Sequence, residues 1–217
     1  MKTKIKILIL ILLLLSALFI NTKVNALMPL SGKIIVIDPG HGGKDPGTIS
    51  DTTYESDINL AISKALEIEL SKAGATIILT RDDDYDLSNP NARWRKKSDF
   101  DNRINLINNS KANLYLSIHL NYLTNSAYYG PQVFYDKEEN QNLALTIQET
   151  LNTNLNTDRD IKKIPNETYM YDKLTIPGVL IECGFLSNSE EKNKLTTEEY
   201  QQKLASFIKD ALIKYFN

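Results

Sequence analysis

KIIVIDPGHGG, residues 33–43, starts as an unbroken apolar run and ends in a proline and three glycines. A short run of aliphatic and β-branched residues closed by turn formers is the pattern of a strand buried on both faces. Glycines after such a strand let the backbone turn sharply and come close to a ligand. Moving outward, the period changes from Ser56. Ile58, Ala61, Ile62, Ala65, Leu66, Glu69 and Leu70 recur at three- and four-residue spacing, and Gly74 follows the last turn. That spacing predicts a helix. Residues 75–80, ATIILT, predict a second buried strand. Strand, helix and strand joined by short links form a βαβ unit, with a parallel pair and a right-handed crossover.

The alternation continues along the chain. Residues 82–101 read as polar and irregular, with Arg93-Trp94-Arg95-Lys96-Lys97 among them. A helix over about 100–109 leads into a strand at 114–119. A further strand is expected at 132–135, at a sheet edge, and helical spacing covers 139–155 through Leu143, Ile147 and Leu151. Residues 152–171 are too polar to assign. VLIEC, residues 179–183, is another buried strand, and helices around 189–195 and 197–215 close the chain. The pattern predicts an α/β fold, a three-layer sandwich with a mostly parallel central sheet and helices on both faces.

The length suits a single domain, and a formal net charge of -2 gives no sign of a nucleic-acid partner. The N-terminus differs in composition. Lys2, Lys4 and Lys6 precede an apolar run from 7 to 20, and residues 21–26, NTKVNA, end in a small-residue Val-x-Ala. This order predicts a secretory signal peptide over residues 1–26, or else an uncleaved anchor, with a single catalytic domain at 27–217. The run is short for a membrane span, which needs about 20 residues. Losing the four lysines at 2, 4, 6 and 23 takes the charge from -2 to -6, giving a mildly acidic protein that works outside the cytoplasm. Membrane contact is expected only through this leader. Cys183 is the only cysteine, so no intramolecular disulfide can form. Its apolar strand makes it a small buried hydrophobe, and no adjacent base is present to activate it as a nucleophile.

Only two histidines occur, His41 and His119, and each sits where a predicted strand runs out. Open α/β sheets build their sites at those strand ends, and histidine is the commonest side-chain ligand for zinc. The matched placement reads as a metal site; the alternative is two hydrogen-bonded loop histidines. A catalytic zinc takes three protein ligands and keeps one position for water, so the third donor must be a carboxylate or the thiol. Glu55 is the candidate, since the βαβ unit carries it over the strand ends, although a glutamate at a helix start is also favoured by the helix dipole alone. Glu182 interrupts the apolar stretch 178–183. Carboxylates are seldom buried unless paired, metal-bound or catalytic, so it reads as a catalytic carboxylate or as half of a structural salt bridge. Neither HExxH nor HxxEH is present, which weakens the usual zinc-peptidase readings.

These residues carry a resemblance. VIDPGHGGKDPG at 36–47, Glu55 ahead of Asn59-Leu60, LTR at 79–81, SIHLN at 117–121 and IECGFLSN at 181–188 resemble the zinc-dependent N-acetylmuramoyl-L-alanine amidases of the AmiC/CwlD type, the Amidase_3 group. The resemblance covers residues 33–216 and implies zinc bound by His41, Glu55 and His119, with Glu182 as the catalytic glutamate. It implies hydrolysis of the amide between the lactyl group of N-acetylmuramic acid and L-alanine in peptidoglycan. The compact form behind a leader is most similar to the CwlD-type sporulation amidases, which prepare muramic-δ-lactam in spore cortex. Tyr122 departs from the small residue the family usually has there, so the cleft edge is expected to differ. The stretch from Tyr135 to Ile181 has no room for the autoinhibitory helix of the cell-separation amidases. No wall-binding module is attached, so an accessory protein is expected to deliver or activate the enzyme in the cell wall or forespore envelope. Asn121 is expected to hydrogen-bond substrate, or merely to cap its loop. The Arg93–Lys97 patch reads as a solvated loop or as a grip on an acidic glycan or a protein partner. Competing functions are another zinc cell-wall hydrolase, a deacetylase or peptidase, or a non-catalytic peptidoglycan-binding protein.

Overall fold

The computed structural model describes residues 2–217 and, in its first helix, the side chains of residues 5–16 and 18. In chain order the elements are α1 (Lys2–Leu27), β1 (Ile34–Pro39), β2 (Ile49–Ser50), β3 (Thr53–Tyr54), α2 (Glu55–Lys72), β4 (Thr76–Leu79) and α3 (Arg95–Asn109). There follow β5 (Leu114–Asn121), β6 (Gln132–Tyr135), α4 (Gln141–Leu155), β7 (Lys162–Lys163), β8 (Gly178–Phe185), α5 (Ser189–Leu195) and α6 (Glu198–Phe216). The central sheet has six strands in the order β4-β1-β5-β8-β6-β7. β4, β1, β5 and β8 run parallel, and β6 is antiparallel to β8.

Alternation along each strand sorts the side chains into two cores. Ile35 and Ile37, Leu114, Leu116, Ile118 and Leu120, and Val179, Ile181 and Cys183 point to one face, where α2, α4 and α6 pack. Val36, Tyr115 and Leu180 point to the other, against Ile104 and Ile107 of α3 and Ile164, Met170, Tyr171 and Leu174 of the segment between β7 and β8. This is the expected three-layer α/β sandwich, with one layer built half from helix and half from irregular chain. Asn108 ties that irregular half to α3, donating to Lys173 O at 2.9 Å and accepting from Thr175 N at 2.9 Å.

Several boundaries differ from expectation for identifiable reasons. The helix expected from about residue 100 begins at Arg95. Its first inward-facing pair is Asp99 and Arg103, buried and bonded to each other, so apolar spacing could not reveal it. β6 is not the edge: the two-residue β7 pairs outside it, a very short strand carrying two lysines, as edges that resist aggregation often are. β8 runs on past Cys183 to Phe185, where it pairs with Asn121 beyond a register shift.

α1 stands apart from the two cores: its described apolar side chains, Ile5 through Leu18, are exposed. The expected cleavage site at Val24-Asn25-Ala26 lies outside the residues whose side chains are described. Among the described residues no helix is long and apolar enough to cross a membrane.

Candidate active site and metal cradle

The second face of the sheet is apolar where the strands begin and polar where they end. Val36, Tyr115 and Leu180 are followed two and four residues on by Asp38, Ser117, His119 and Glu182, which share that face. Register aligns them laterally: Asp38 lies beside Ser117, and His119 beside Glu182. His119 and Glu182 are therefore cross-strand neighbours, on strands about 4.8 Å apart.

Two further side chains reach this rim from outside the sheet. α2 follows β1 across the top of the sheet, so its first residue, Glu55, arrives over the strand ends. Glu55 Oε1 lies 3.3 Å from His41 Nε2 and 3.0 Å from His119 Nδ1, and it accepts from Leu120 N at 3.1 Å. Its other oxygen accepts from Thr48 N at 2.9 Å. One ligand atom from each of His41, Glu55 and His119 falls within 4.8 Å of the others, a group able to hold a metal ion. Two imidazole nitrogens and a carboxylate oxygen also match zinc by donor type. Gly40 makes the close approach possible, since a Cβ there would stand 2.2 Å from His119 Cε1.

The turn bearing His41 is strained and held. His41 has φ 62, a left-handed conformation that disfavours any side chain with a Cβ. Two arginines grip its carbonyls. Arg81 donates from Nε to Pro39 O at 3.0 Å and from Nη2 to Gly40 O at 3.0 Å and Ser56 O at 2.8 Å. Arg103 donates to Pro39 O at 2.8 Å, His41 O at 2.6 Å, Asp38 Oδ1 at 2.7 Å and Asp99 Oδ2 at 3.0 Å. Asp45 accepts at 3.1 Å from His41 Nδ1, which orients the ring with Nε2 towards Glu55. Asn59 Nδ2 contacts both Glu55 Oε1 and Gly40 O at 3.3 Å.

The electrostatics divide the carboxylates. Burial works against ionised Glu55, but hydrogen bonds from both imidazoles hold its pKa far below the usual range. Glu182 has no such help. Its Oε2 is buried without a hydrogen-bond partner, and desolvation, reinforced by the charge on Glu55, pushes its pKa up to about 7 against the pull of the histidines. The salt-bridge reading of Glu182 therefore fails, since no cation pairs with it among the described residues. A cavity of about 180 Å³ opens beside the cradle, with His41, His119, Phe100 and Tyr171 in its wall.

A protein-family profile described as N-acetylmuramoyl-L-alanine amidase matches residues 35–214. The chain belongs to that amidase family. The amidase is 42% identical over 195 residues to the germination-specific N-acetylmuramoyl-L-alanine amidase of Bacillus subtilis, covering 87% of this chain and 82% of that protein. Its fold matches the CwlD amidase of Clostridioides difficile, solved in complex with the GerS lipoprotein, with TM-score 0.80 and 41% identity over 85% of this chain and 98% of that one. The catalytic domain of CwlV from Bacillus (Paenibacillus) polymyxa matches with TM-score 0.73 and 32% identity, over 84% of this chain and 97% of that one. The expected cell-wall amidase identity, with its similarity to the CwlD type, stands on these likenesses.

Of the residues singled out in the sequence, His41, Glu55, His119 and Glu182 come together in the amidase. Asn121 sits at the end of β5, its carbonyl accepting from Leu186 N at 2.9 Å, and its side chain makes no hydrogen bond among the described residues. Cys183 is buried on the opposite face, where desolvation raises its thiol pKa well above the usual range. Arg103, Asp45 and the polar role of Asn59 escaped sequence reasoning. A buried arginine on a helix face carries no periodic signal; the only sequence trace is the i, i+4 pair Asp99–Arg103.

Arg103→Ala should lower unfolding free energy by about 3–5 kcal/mol in urea titration at pH 7, because it leaves Asp38 buried without its cation. Burial disfavours the Asp38 charge, but Arg103 and Thr80 overcome that and lower its pKa. The stabilisation is therefore present above the unfolded-state carboxylate range and fades as pH falls through the lowered value. A variant as stable as the parent at pH 7 would show that the ion pair contributes nothing.

Proposed function

We propose that this amidase uses zinc held by His41, Glu55 and His119, with Glu182 as proton carrier, to cleave the amide between the lactyl group of N-acetylmuramic acid and L-alanine. One observation carries the reading: a desolvated, unpartnered carboxylate stands in register beside one arm of a His-Glu-His cradle. Bound there, zinc supplies Lewis acidity that polarises the carbonyl and activates water near neutral pH. Glu182 takes the proton of the attacking water and passes it to the departing alanine nitrogen. The C–N bond breaks, leaving a lactyl carboxylate on the glycan and an amine on the stem peptide. A pKa near 7 suits both halves of that transfer, and a cation held by His41, Glu55 and His119 would favour the ionised form of Glu182. The segment carrying Tyr169, Met170 and Tyr171 walls the cavity and excludes water from one side. Asn121, next but one to His119 and with a free side-chain amide, is the proposed hydrogen-bond donor to substrate.

Muropeptide mass spectrometry after digestion of purified peptidoglycan tests this. Free stem peptides and peptide-free glycan, abolished by a chelator and restored by zinc, are the expected products. Released acetate would instead identify a deacetylase.

Zinc uptake should depend on pH. Burial opposes the charged form of His41, but hydrogen bonds to Asp45 and Glu55 overcome it and raise its pKa to about 9 in the metal-free chain. Zinc must displace that proton. Apparent affinity should rise about tenfold per pH unit from pH 6 towards 9, read by competition with a chromophoric chelator. A flat profile would remove His41 from the ligand set.

The leader supports export: three lysines, a short apolar run and Val-x-Ala over residues 1–26, ahead of a domain from 27 to 217. The likeness to a germination-specific amidase and to CwlD supports a role in preparing muramic-δ-lactam in spore cortex. The lipoprotein bound to that CwlD supports an accessory protein as partner here.

A further inference from the structure

A second groove of about 220 Å³ adjoins the catalytic cavity and shares Asp45 and Asp99 with it; Lys44, Asp86, Arg95 and Lys96 complete its wall. Its acids are committed. Asp99 accepts from Arg103 and from Leu87 N at 2.7 Å, Asp86 is paired with Arg95, and Asp45 holds His41. Its lysines are held less tightly. Lys96 Nζ is 3.6 Å from Asp45 Oδ2, too long for a hydrogen bond, and its side chain is 66% exposed. Lys44 has no ion-pair partner among the described residues. The groove thus offers one ammonium, Lys44, with no ion-pair partner among the described residues, and a second, Lys96, that is exposed and only loosely paired with an Asp45 already bonded to His41.

Its position relative to the reacting bond is also defined. Asp45 Oδ2 stands 3.1 Å from His41 Nδ1, so the Lys96 ammonium lies no more than about 7 Å from the His41 ring. Two residues of extended peptide span about 7 Å. In peptidoglycan the residue after L-alanine is a glutamate joined through its side chain, which leaves its α-carboxylate free. We propose that Lys44 and Lys96 receive that carboxylate, making this groove the specificity site for the stem peptide. The proposal rests on the amidase reading above.

The test uses the full chain loaded with zinc, as wild type and as the double variant Lys44→Gln, Lys96→Gln. The substrates are soluble muropeptides differing only in whether that carboxylate is free or amidated. Wild type should show a kcat/KM about tenfold higher on the free acid, expressed in KM and weakened by salt. The double variant should lose this preference while keeping its zinc content and its kinetics on the amidated form. Equal use of both substrates by wild type would overturn the proposal and leave the amidase assignment standing. A variant that declines equally on both would also overturn it, because the lysines would then act through Asp45 and His41. Cleavage of neither substrate by wild type would refute the amidase reading, and this proposal with it.

Discussion

Glu182→Gln is expected to lower kcat by about 10²–10⁴-fold while metal content and fold are kept. Glutamine has the same shape and cannot carry a proton between water and a leaving amine. Its effect on stability should have the opposite sign. Glu182 shifts from 4.5 to about 7 in the metal-free protein because its charge is buried without a partner. A carboxyl whose folded pKa is raised stabilises the fold below its unfolded value, and that contribution is lost as pH rises through 7. The metal-free variant should therefore melt no lower than wild type at pH 6 and higher at pH 8. A variant that turns over normally would remove Glu182 from the mechanism, and one that melts lower at pH 8 would refute the desolvation argument.

His119→Ala should weaken zinc binding by more than about 100-fold, beyond the cost of removing a residue that merely supports a ligand. Elemental analysis after dialysis should find the variant without metal and its amidase activity gone. The fold should survive, because Glu55 keeps its bonds from Thr48 N and Leu120 N and its contacts with Asn59 and His41. The layer beneath, Ile118 and Leu120 in the main core, is untouched. Unchanged zinc stoichiometry would exclude His119 as a ligand and dissolve the cradle.

Much of this arrangement is legible in the amino-acid sequence. The run at Lys33 and the helix after Ser56 announced a βαβ unit, because burial on both faces of a strand and on one face of a helix imposes different periods. His41, His119 and Glu182 stood out because each is a costly residue at the end of, or inside, an apolar run. Glu55 was less distinct, since a helix start tolerates glutamate for its own electrostatic reasons. The start of α3 was missed because its inner face is an ion pair. Residues 152–171 are unassignable from sequence because those beyond α4 pack through scattered residues, such as Ile164, Met170 and Tyr171, with no repeat.

By itself, the chain's pattern of apolar runs and breaks determined the layers, the parallel sheet and the prominence of His41, His119 and Glu182, since those follow from local period and the expense of burying charge. The sidedness was decided only in three dimensions. Whether Glu182 faces the imidazoles depends on the register that sets it beside His119. A slip of one residue would have turned it into the opposite core. The two arginines that grip the His41 turn, and Lys96 beside it, come from segments dozens of residues away. Their roles exist only because folding closes those loops, and no local pattern encodes which carbonyl a distant guanidinium will reach.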